Sequence, residues 1–326
     1  MLITYMETLV NYNQEEGKTT LAAQGWVNEL NVAEESTPTN ATNNDEPDVA
    51  NWAGKTGLKA LTSRLLGKVS HTFMIKPHVA VFKTGKCLVP SVQIDLELLL
   101  SDNNMFLFET PDTTTSVDKK IPTLEDNDIY VTLWMKKVTL NTSVYARLQK
   151  ERSLSKTKKV KHPVVRSEIR TYFFDGHTAR WELKDCLRRK SVGKVVIGLL
   201  NSNNYNGTLN CYSYAYEKFG VTSVRQTIDG EEYPYRSLEL TGNSGAEDLV
   251  GYDRFLTASG AYKHHKPPML LPSDWGQSKN CTLFMFNNVP GDAEDPEFRN
   301  PRQTDNVRYE IDFRAAVDHR GDLERV

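Results

Sequence analysis

The chain has 326 residues, of which 39% are hydrophobic and 10% aromatic, enough for one large or two ordinary domains. Its 40 basic and 42 acidic residues give a formal charge of −2, which excludes an overall positive field that would attract nucleic acid or anionic membrane. No apolar run approaches the roughly 18 residues of a membrane span, and the N-terminus lacks the basic region of a signal peptide. We therefore expect a soluble protein inside the cell.

The N-terminal region predicts a short helix followed by a polar loop. Tyr5, Leu9 and Tyr12 recur at near-helical spacing, and Gly17 predicts a break. Residues 35–48 contain many small polar side chains without periodicity, which favours an exposed loop. A second helical pattern lies at residues 58–67.

Three segments in the first half of the chain have the composition of β-strands. Residues 72–82 and 89–100 are rich in strand-forming side chains. Residues 92–98 alternate strictly between apolar and polar side chains, which is the pattern of a strand with one buried face. Together with a long run at residues 129–140, they predict a first domain built from sheets.

The composition becomes basic between the two halves. Residues 145–162 predict a short helix and then a basic connector between domains. One interpretation of the connector is a solvated linker, which the absence of interleaved aromatic residues favours. The functional hypothesis is a nucleic-acid contact by the lysines of this run, Lys156, Lys158, Lys159 and Lys161.

The second half is organised around residues 188–240. Residues 194–200 predict a buried strand, and the turn-forming residues 201–207 predict a loop after it. The dipeptide Asp229-Gly230 predicts a type I′ hairpin, because both residues tolerate the positive φ angles of that turn. This unit is predicted to contain no helix. Further strands are predicted at residues 164–174, 181–183, 281–286 and 307–313.

Four cysteines are far apart in the sequence and match the spacing of neither a zinc site nor a disulfide scaffold. We expect them to be small buried hydrophobic side chains. They are Cys87, Cys186, Cys211 and Cys281.

Several short motifs imitate catalytic or cofactor sites without their full spacing. The Gly-Lys-Thr of residues 17–19 lacks the glycine that a phosphate-binding loop places five residues earlier. Residues 242–246 lack the second glycine of a nucleophile elbow. His264 and His265 are adjacent, so they do not form an i, i+4 metal-binding pair. We therefore predict no catalytic, cofactor-binding or metal-binding residues, and a structural or binding protein rather than an enzyme.

A series of segments in chain order carries a family resemblance. They are residues 5–12, 130–166, 194–200 with 205–207, 224–234, 252–256, 283–286 and 307–313. Together they resemble the hexon-type major capsid protein of Maverick/Polinton elements, a group of virus-like transposable elements, and of adintoviruses. The similarity covers most of the chain, and it is the order of the segments that carries it.

The resemblance implies an all-β fold of tandem (double) jelly-roll sandwiches, the first incomplete, with short helices in the connections. The implied domains are the C-terminal portion of the first jelly-roll at residues 1–145, a basic helical connector at residues 146–163, and the second jelly-roll at residues 164–326. The implied function is a structural one, as a capsid subunit that forms a homotrimeric, pseudo-hexagonal capsomer.

The resemblance also implies partners and a location. The partners are further copies of the chain in a capsid shell, penton-like and other capsid proteins, and packaged DNA, with no membrane, cofactor or small-molecule substrate. The location is the virion, after an intracellular stage in nucleus or cytoplasm and without secretion. Long loops are expected to make the trimer contacts and outer surface, at residues 35–48, 101–122, 241–250 and 287–306.

The sequence departs from this family at both ends. Family members carry a segment before the match at Tyr5 that supplies the opening strands of the first roll. At the other end, the polar residues 317–326 stand where the final strand is expected. We therefore expect a truncated copy whose unpaired strand edges favour aggregation or dependence on a partner.

Two functions from other classes stay open. One is a domesticated host-cell binding module that keeps the β-sandwich without capsid assembly. The other is a glycan-binding or glycan-processing β-sandwich, since sandwiches host many functions. The second alternative requires paired carboxylates and an aromatic platform in one groove.

Overall fold

The structure is a computed structural model that describes selected parts of the chain. They are residues 2–26, 72–83, 87–88, 93–99, 130–154, 166–174, 179–187, 192–206, 214–241, 248–264, 268–272, 274–276, 281–289 and 306–314. The α-helices are α1 (Leu2–Asn11), α2 (Gln14–Glu16), α3 (Thr142–Leu154), α4 (Ser202–Asn206), α5 (Leu249–Ser259) and α6 (Ala261–His264). The strands are β1 (Arg180–Leu183), β2 (Lys194–Gly198), β3 (Val221–Ile228), β4 (Glu231–Glu232), β5 (Leu238–Glu239), β6 (Leu283–Asn287) and β7 (Val307–Phe313).

The larger sheet is antiparallel, with the strand order β1-β7-β3-β4. Strand β7 is central, and its side chains alternate between the core and the outer face, as the sequence predicts. Its register aligns Ile311 with Trp181 of β1 on one side and with Val224 of β3 on the other. The core face of the sheet therefore carries apolar side chains from three adjacent strands.

The predicted hairpin is confirmed. Asp229 has φ of 52° and Gly230 has φ of 93°, the two positive angles of a type I′ turn between β3 and β4. The returning edge is interrupted after Glu232 and pairs with β3 again at Leu238. Pro234 lies in this interruption, and a proline has no N–H to donate to a ladder.

A second sheet pairs β2 with β6 in antiparallel register, for example Val196 with Met285. Strand β6 is a continuous buried apolar run, whereas β2 is half-buried rather than fully buried as predicted. The predicted loop at residues 201–207 contains α4 instead, where the Asn201 side chain accepts a hydrogen bond from the N–H of Asn203 at 3.0 Å. That local capping bond explains why turn-forming residues adopt a helical turn here.

The N-terminal helices belong to the same hydrophobic core as the sheets. Tyr5 and Leu9 of α1 are buried with strand and loop residues of the second half, and the rings of Tyr5 and Tyr214 stack with centroids 4.5 Å apart. A Cβ on Gly198 would lie 2.9 Å from Cε of Met6, so the glycine lets α1 approach β2. The predicted break in the N-terminal helix lies at Tyr12, before Gly17, which is part of a π-helix, Gly17–Leu21.

The predicted strands of the first half are not strands where the structure describes them. Residues 93–99 and 130–140 are neither helical nor paired, and residues 80–83 form the 3-10 helix Ala80–Lys83. Strand propensity expresses fit to a pleated, half-buried surface. Neither segment pairs with a neighbouring strand among the described residues, and within that part of the chain the alternation at 93–99 faces no core. The segment at residues 166–174 likewise forms no strand, and it contacts the core through Phe174, which stacks on Phe313 at 5.1 Å.

The described fold therefore has antiparallel sheets, which are consistent with a mostly-β fold, together with helices at its N-terminus and between its strands. The predicted helix between the two halves is confirmed by α3. The helix expected at residues 58–67 lies outside the described residues. The division at residues 145 and 163 stays a prediction.

Candidate interaction surface and a buried ion pair

A stretch of exposed apolar side chains forms the most conspicuous surface of the described chain. Tyr130 is 92% exposed and Trp134 is 86% exposed, in a segment without helix or strand. Large apolar side chains of this segment and of α3 are exposed with them: Val131, Leu133, Met135, Val138, Leu140, Val144, Tyr145 and Leu148. We call residues 130–148 the apolar segment.

The first half of helix α3 belongs to the apolar segment, and the helix also carries charged side chains. Arg147 and Glu151 form an exposed i, i+4 ion pair at 3.4 Å, and the Gln149 side chain donates to the Tyr145 hydroxyl at 2.8 Å. These bonds link residues along the helix surface and do not attach α3 to the core. The helix therefore presents its apolar residues without a partner surface in the described chain.

Helix α1 anchors two neighbouring parts of the chain through one carboxylate. Glu7 accepts a hydrogen bond from the hydroxyl of Ser167, and its other oxygen lies 3.1 Å from Nδ1 of His78. The acid lies between the serine and the histidine, whereas nucleophilic catalysis places the histidine between the serine and the acid. The arrangement is that of a structural anchor.

The outer face of the larger sheet carries a ladder of opposite charges. Arg180 of β1 donates to both carboxylate oxygens of Asp312 on β7, at 2.5 and 3.2 Å. Ser223 of β3 donates to the same carboxylate at 2.9 Å, so Asp312 links three strands. The hydrogen bond from Arg180 lowers the pKa of Asp312 most, with a smaller contribution from Ser223 and with burial opposing.

Further ion pairs extend this ladder along the same face. Arg308 contacts both Glu182 and Glu310, and Arg225 lies 3.5 Å from Glu310. Because charges of opposite sign alternate across neighbouring strands, the face carries no single-sign field that would recognise nucleic acid.

A buried ion pair connects the loop before β3 to the start of α5. The side chains of Lys218 and Asp248 are in direct contact, and their exposed fractions are 1% and 3%. Oδ1 of Asp248 accepts two hydrogen bonds from Thr241, from the N–H at 2.9 Å and from the hydroxyl at 2.6 Å. Burial acts to raise the pKa of Asp248, but the hydrogen bonds from Lys218 and Thr241 outweigh it and the pKa is lowered.

Both partners of this ion pair are held by their backbones. The carbonyl oxygen of Lys218 accepts from the N–H of Val221 at 3.1 Å, which closes the turn into β3. The carbonyl oxygen of Asp248 accepts from the N–H of Tyr252 at 3.0 Å, which begins α5. The ion pair therefore joins the turn that precedes β3 to the first turn of α5.

The chain is similar to a nematode protein. It is 24% identical over 166 residues to an uncharacterized protein of Caenorhabditis elegans. The match covers 50% of this chain and 39% of that protein, so the chain spans well under half the length of the relative. No protein family matches the chain, and no solved structure matches it.

The site residues predicted from sequence lie outside the described residues. This holds for Lys156, Lys158, Lys159 and Lys161 and for the loops at residues 35–48 and 101–122. Of the loop at residues 241–250, the described residues include buried Asp248 and the exposed first turn of α5. The expectation of buried cysteines holds for Cys186 and Cys281, whereas Cys87 is exposed, in a described part of the chain without helix or strand.

Two absences apply to the described parts of the chain. Among those residues, His, Cys, Asp and Glu form no group of three or more that could hold a metal ion. Of the helices that the structure describes, none has both the length and the apolar character that a membrane crossing requires.

The sequence reasoning did not identify the buried ion pair. A signal was present, because Lys218 lies among the aromatic residues Tyr214, Tyr216 and Phe219, where a charged side chain is unusual. Asp248 directly precedes an apolar helical pattern and reads as an ordinary helix cap. Its side chain makes no capping bond and turns to Lys218 and Thr241 instead.

Proposed function

We propose that the chain is a hexon-like capsid subunit with tandem jelly-rolls that assembles as a homotrimer. The observation that carries the proposal is the apolar segment, residues 130–148. Monomeric soluble proteins rarely expose so many large apolar side chains within one short stretch, and such concentrations mark surfaces that bind other proteins. Because the chain resembles capsid proteins, we propose that the partner of this surface is a second copy of the chain.

The antiparallel sheets support the same proposal. Strands β1, β7, β3, β4 and β5 form one sheet and β2 and β6 another, with side chains of both in one apolar core. Two packed antiparallel sheets are the basic plan of a jelly-roll. The ordered resemblance of segments such as 194–200 and 307–313 falls on strands of these sheets.

In this function the protein acts through interfaces rather than through a catalytic site. The sheets give each subunit a rigid body, and the exposed apolar residues bury one another when three copies meet. Burial of apolar surface contributes about 25 cal/mol per Å², and this gain opposes the entropy that the subunits lose on association. The basic connector is proposed to face packaged DNA.

The molar mass of the purified chain in solution tests the proposal. Light scattering after size-exclusion chromatography is expected to give three times the chain mass of 37.0 kDa. Replacing Tyr130 and Trp134 by Glu is expected to reduce the molar mass toward that of one chain, with an unchanged circular dichroism spectrum, because charge on that surface opposes apolar contact.

The matched control is Tyr235→Glu. Tyr235 is 91% exposed, as much as Tyr130, but lies in the interruption of the β-hairpin edge. This variant is expected to keep the trimer. A monomeric parent chain that captures a defined cellular partner reproducibly would instead support the domesticated binding module.

A further inference from the structure

Lys218 and Asp248 bring an amino group and a carboxyl group into direct contact at a site that is buried from solvent. They are 30 residues apart in the chain and in direct contact in the fold. When a fold holds two reacting groups in contact, their reaction becomes intramolecular and no longer depends on a chance encounter. In well-oriented intramolecular reactions the effective concentration of one group at the other reaches about 10⁵–10⁸ M. The ion pair therefore has the proximity that amide formation requires.

The two carboxylate oxygens of Asp248 have different hydrogen-bond partners. Lys218 Nζ contacts Oδ2, whereas both donors of Thr241 bond to Oδ1. Attack on the carboxyl carbon places negative charge on one oxygen and expels the other. Two donors at Oδ1 can stabilise that charge in the same way as an oxyanion hole.

We propose that Lys218 and Asp248 condense to form an intramolecular isopeptide bond. A proton passes from the Lys218 ammonium group to Oδ2 of Asp248, and the neutral amine attacks the carboxyl carbon. A second proton from Nζ completes the leaving water molecule, which carries Oδ2 away. The C–Oδ2 bond breaks, the Nζ–Cγ bond forms, and no oxidant or other reactant is consumed.

Burial favours the amide product as well as the contact between Lys218 and Asp248. In water an amine and a carboxylic acid are stabilised as ions, which opposes their condensation. Two charges in a protein interior lose that hydration, a cost that the hydrogen bonds to Asp248 offset in the ion pair and that a neutral amide does not incur. The amide is neutral, so the reaction removes a buried ion pair and joins the turn before β3 covalently to the start of α5.

The test is the intact mass of the purified full-length chain, measured after complete denaturation and reduction. The isopeptide bond predicts a mass lower than that of the sequence by one water molecule. Lys218→Met and Asp248→Ala are each expected to restore the mass calculated for that variant. Thr241→Val, which removes one donor to Oδ1, is expected to slow the loss of water. A parent mass equal to that of the sequence overturns the proposal.

A peptide map locates the bond and excludes another source of water loss. Asp229-Gly230 can lose water as a cyclic imide, which mild alkali hydrolyses, whereas an isopeptide bond persists. Trypsin does not cleave at an acylated lysine, so residues 195–225 are expected to remain joined to residues 237–254 in one branched peptide. Water loss without that branched peptide also overturns the proposal. Neither result depends on capsid assembly.

Discussion

Gly251 of α5 packs closely against the six-membered ring of Trp275. A Cβ at Gly251 would lie 2.7 Å from Cζ3 of Trp275 and 2.8 Å from Cδ2 of Leu240. The ring cannot move away freely, because its Nε1–H donates to the carbonyl oxygen of Leu283 at 3.0 Å. The glycine therefore allows the helix to approach the loop and strand residues beneath it.

Gly251→Ala is expected to lower the free energy of unfolding by about 1–2 kcal/mol, because overpacking outweighs the gain in helix propensity. Urea unfolding monitored by tryptophan fluorescence measures the change. Val250→Ala is the control in the same helix; Val250 is exposed and its replacement is expected to change stability by less than about 0.5 kcal/mol. A Gly251→Ala variant more stable than the parent would contradict the close packing of Trp275.

A substitution at Gly230, in the turn between β3 and β4, separates the effect of backbone conformation on stability from the effect of packing. Gly230 has φ of 93°, and a Cβ there would meet no atom within 4 Å. Gly230→Ala is therefore expected to cost about 1–2 kcal/mol through the left-handed backbone alone. Gly230→Asn is expected to cost less, since asparagine tolerates that region. Equal urea midpoints for glycine and alanine would argue against a type I′ turn.

The Asp312 carboxylate predicts how stability depends on pH. Its pKa is lowered by the hydrogen bond from Arg180, so the carboxylate stabilises the folded state above its ordinary pKa. This contribution is lost as the pH falls through the lower, folded-state value. Urea midpoints measured from neutral pH into the acid range are expected to decline below pH 3.8, the ordinary value.

Asp312→Asn is expected to lower stability at neutral pH and to reduce the decline in acid. Glu231→Gln removes an exposed carboxyl from the neighbouring hairpin and serves as the control. An acid decline that is identical in the parent and in Asp312→Asn would show that the ion pair with Arg180 does not contribute.

If the basic connector contacts packaged DNA, removing its positive charge is expected to lower the DNA content of assembled particles. Reversing charge at Lys156, Lys158, Lys159 and Lys161 to Glu is expected to reduce DNA in assembled particles and to weaken the dependence of DNA binding on salt. The ratio of absorbance at 260 and 280 nm and a salt titration measure both effects. Unchanged particles with unchanged DNA content would identify the run as a solvated linker.

Local sequence signals predicted several elements of the second half of the chain correctly. Asp229-Gly230 specifies its turn through the two residues themselves, and the alternation of residues 307–313 requires only one buried face. The run at residues 281–286 is apolar enough to predict a buried strand without knowledge of its partner. These elements follow from chemistry within a few residues.

The sequence could not predict features that depend on distant partners. Residues 92–98 alternate as clearly as residues 307–313, yet residues 93–98 pair with no strand among the residues that the structure describes. The pair of Lys218 and Asp248 is formed by two turns that only the tertiary fold brings together. The packing of α1 on β2 similarly depends on the small size of Gly198, which no local pattern reveals.

Electron cryo-microscopy of the purified chain tests the capsid account most directly. The account predicts a trimer with a pseudo-hexagonal outline, in which each subunit contributes two jelly-rolls and residues 130–148 lie at the contacts between subunits. A monomer whose strands form a single β-sandwich, with residues 130–148 exposed or bound to another protein, would contradict it.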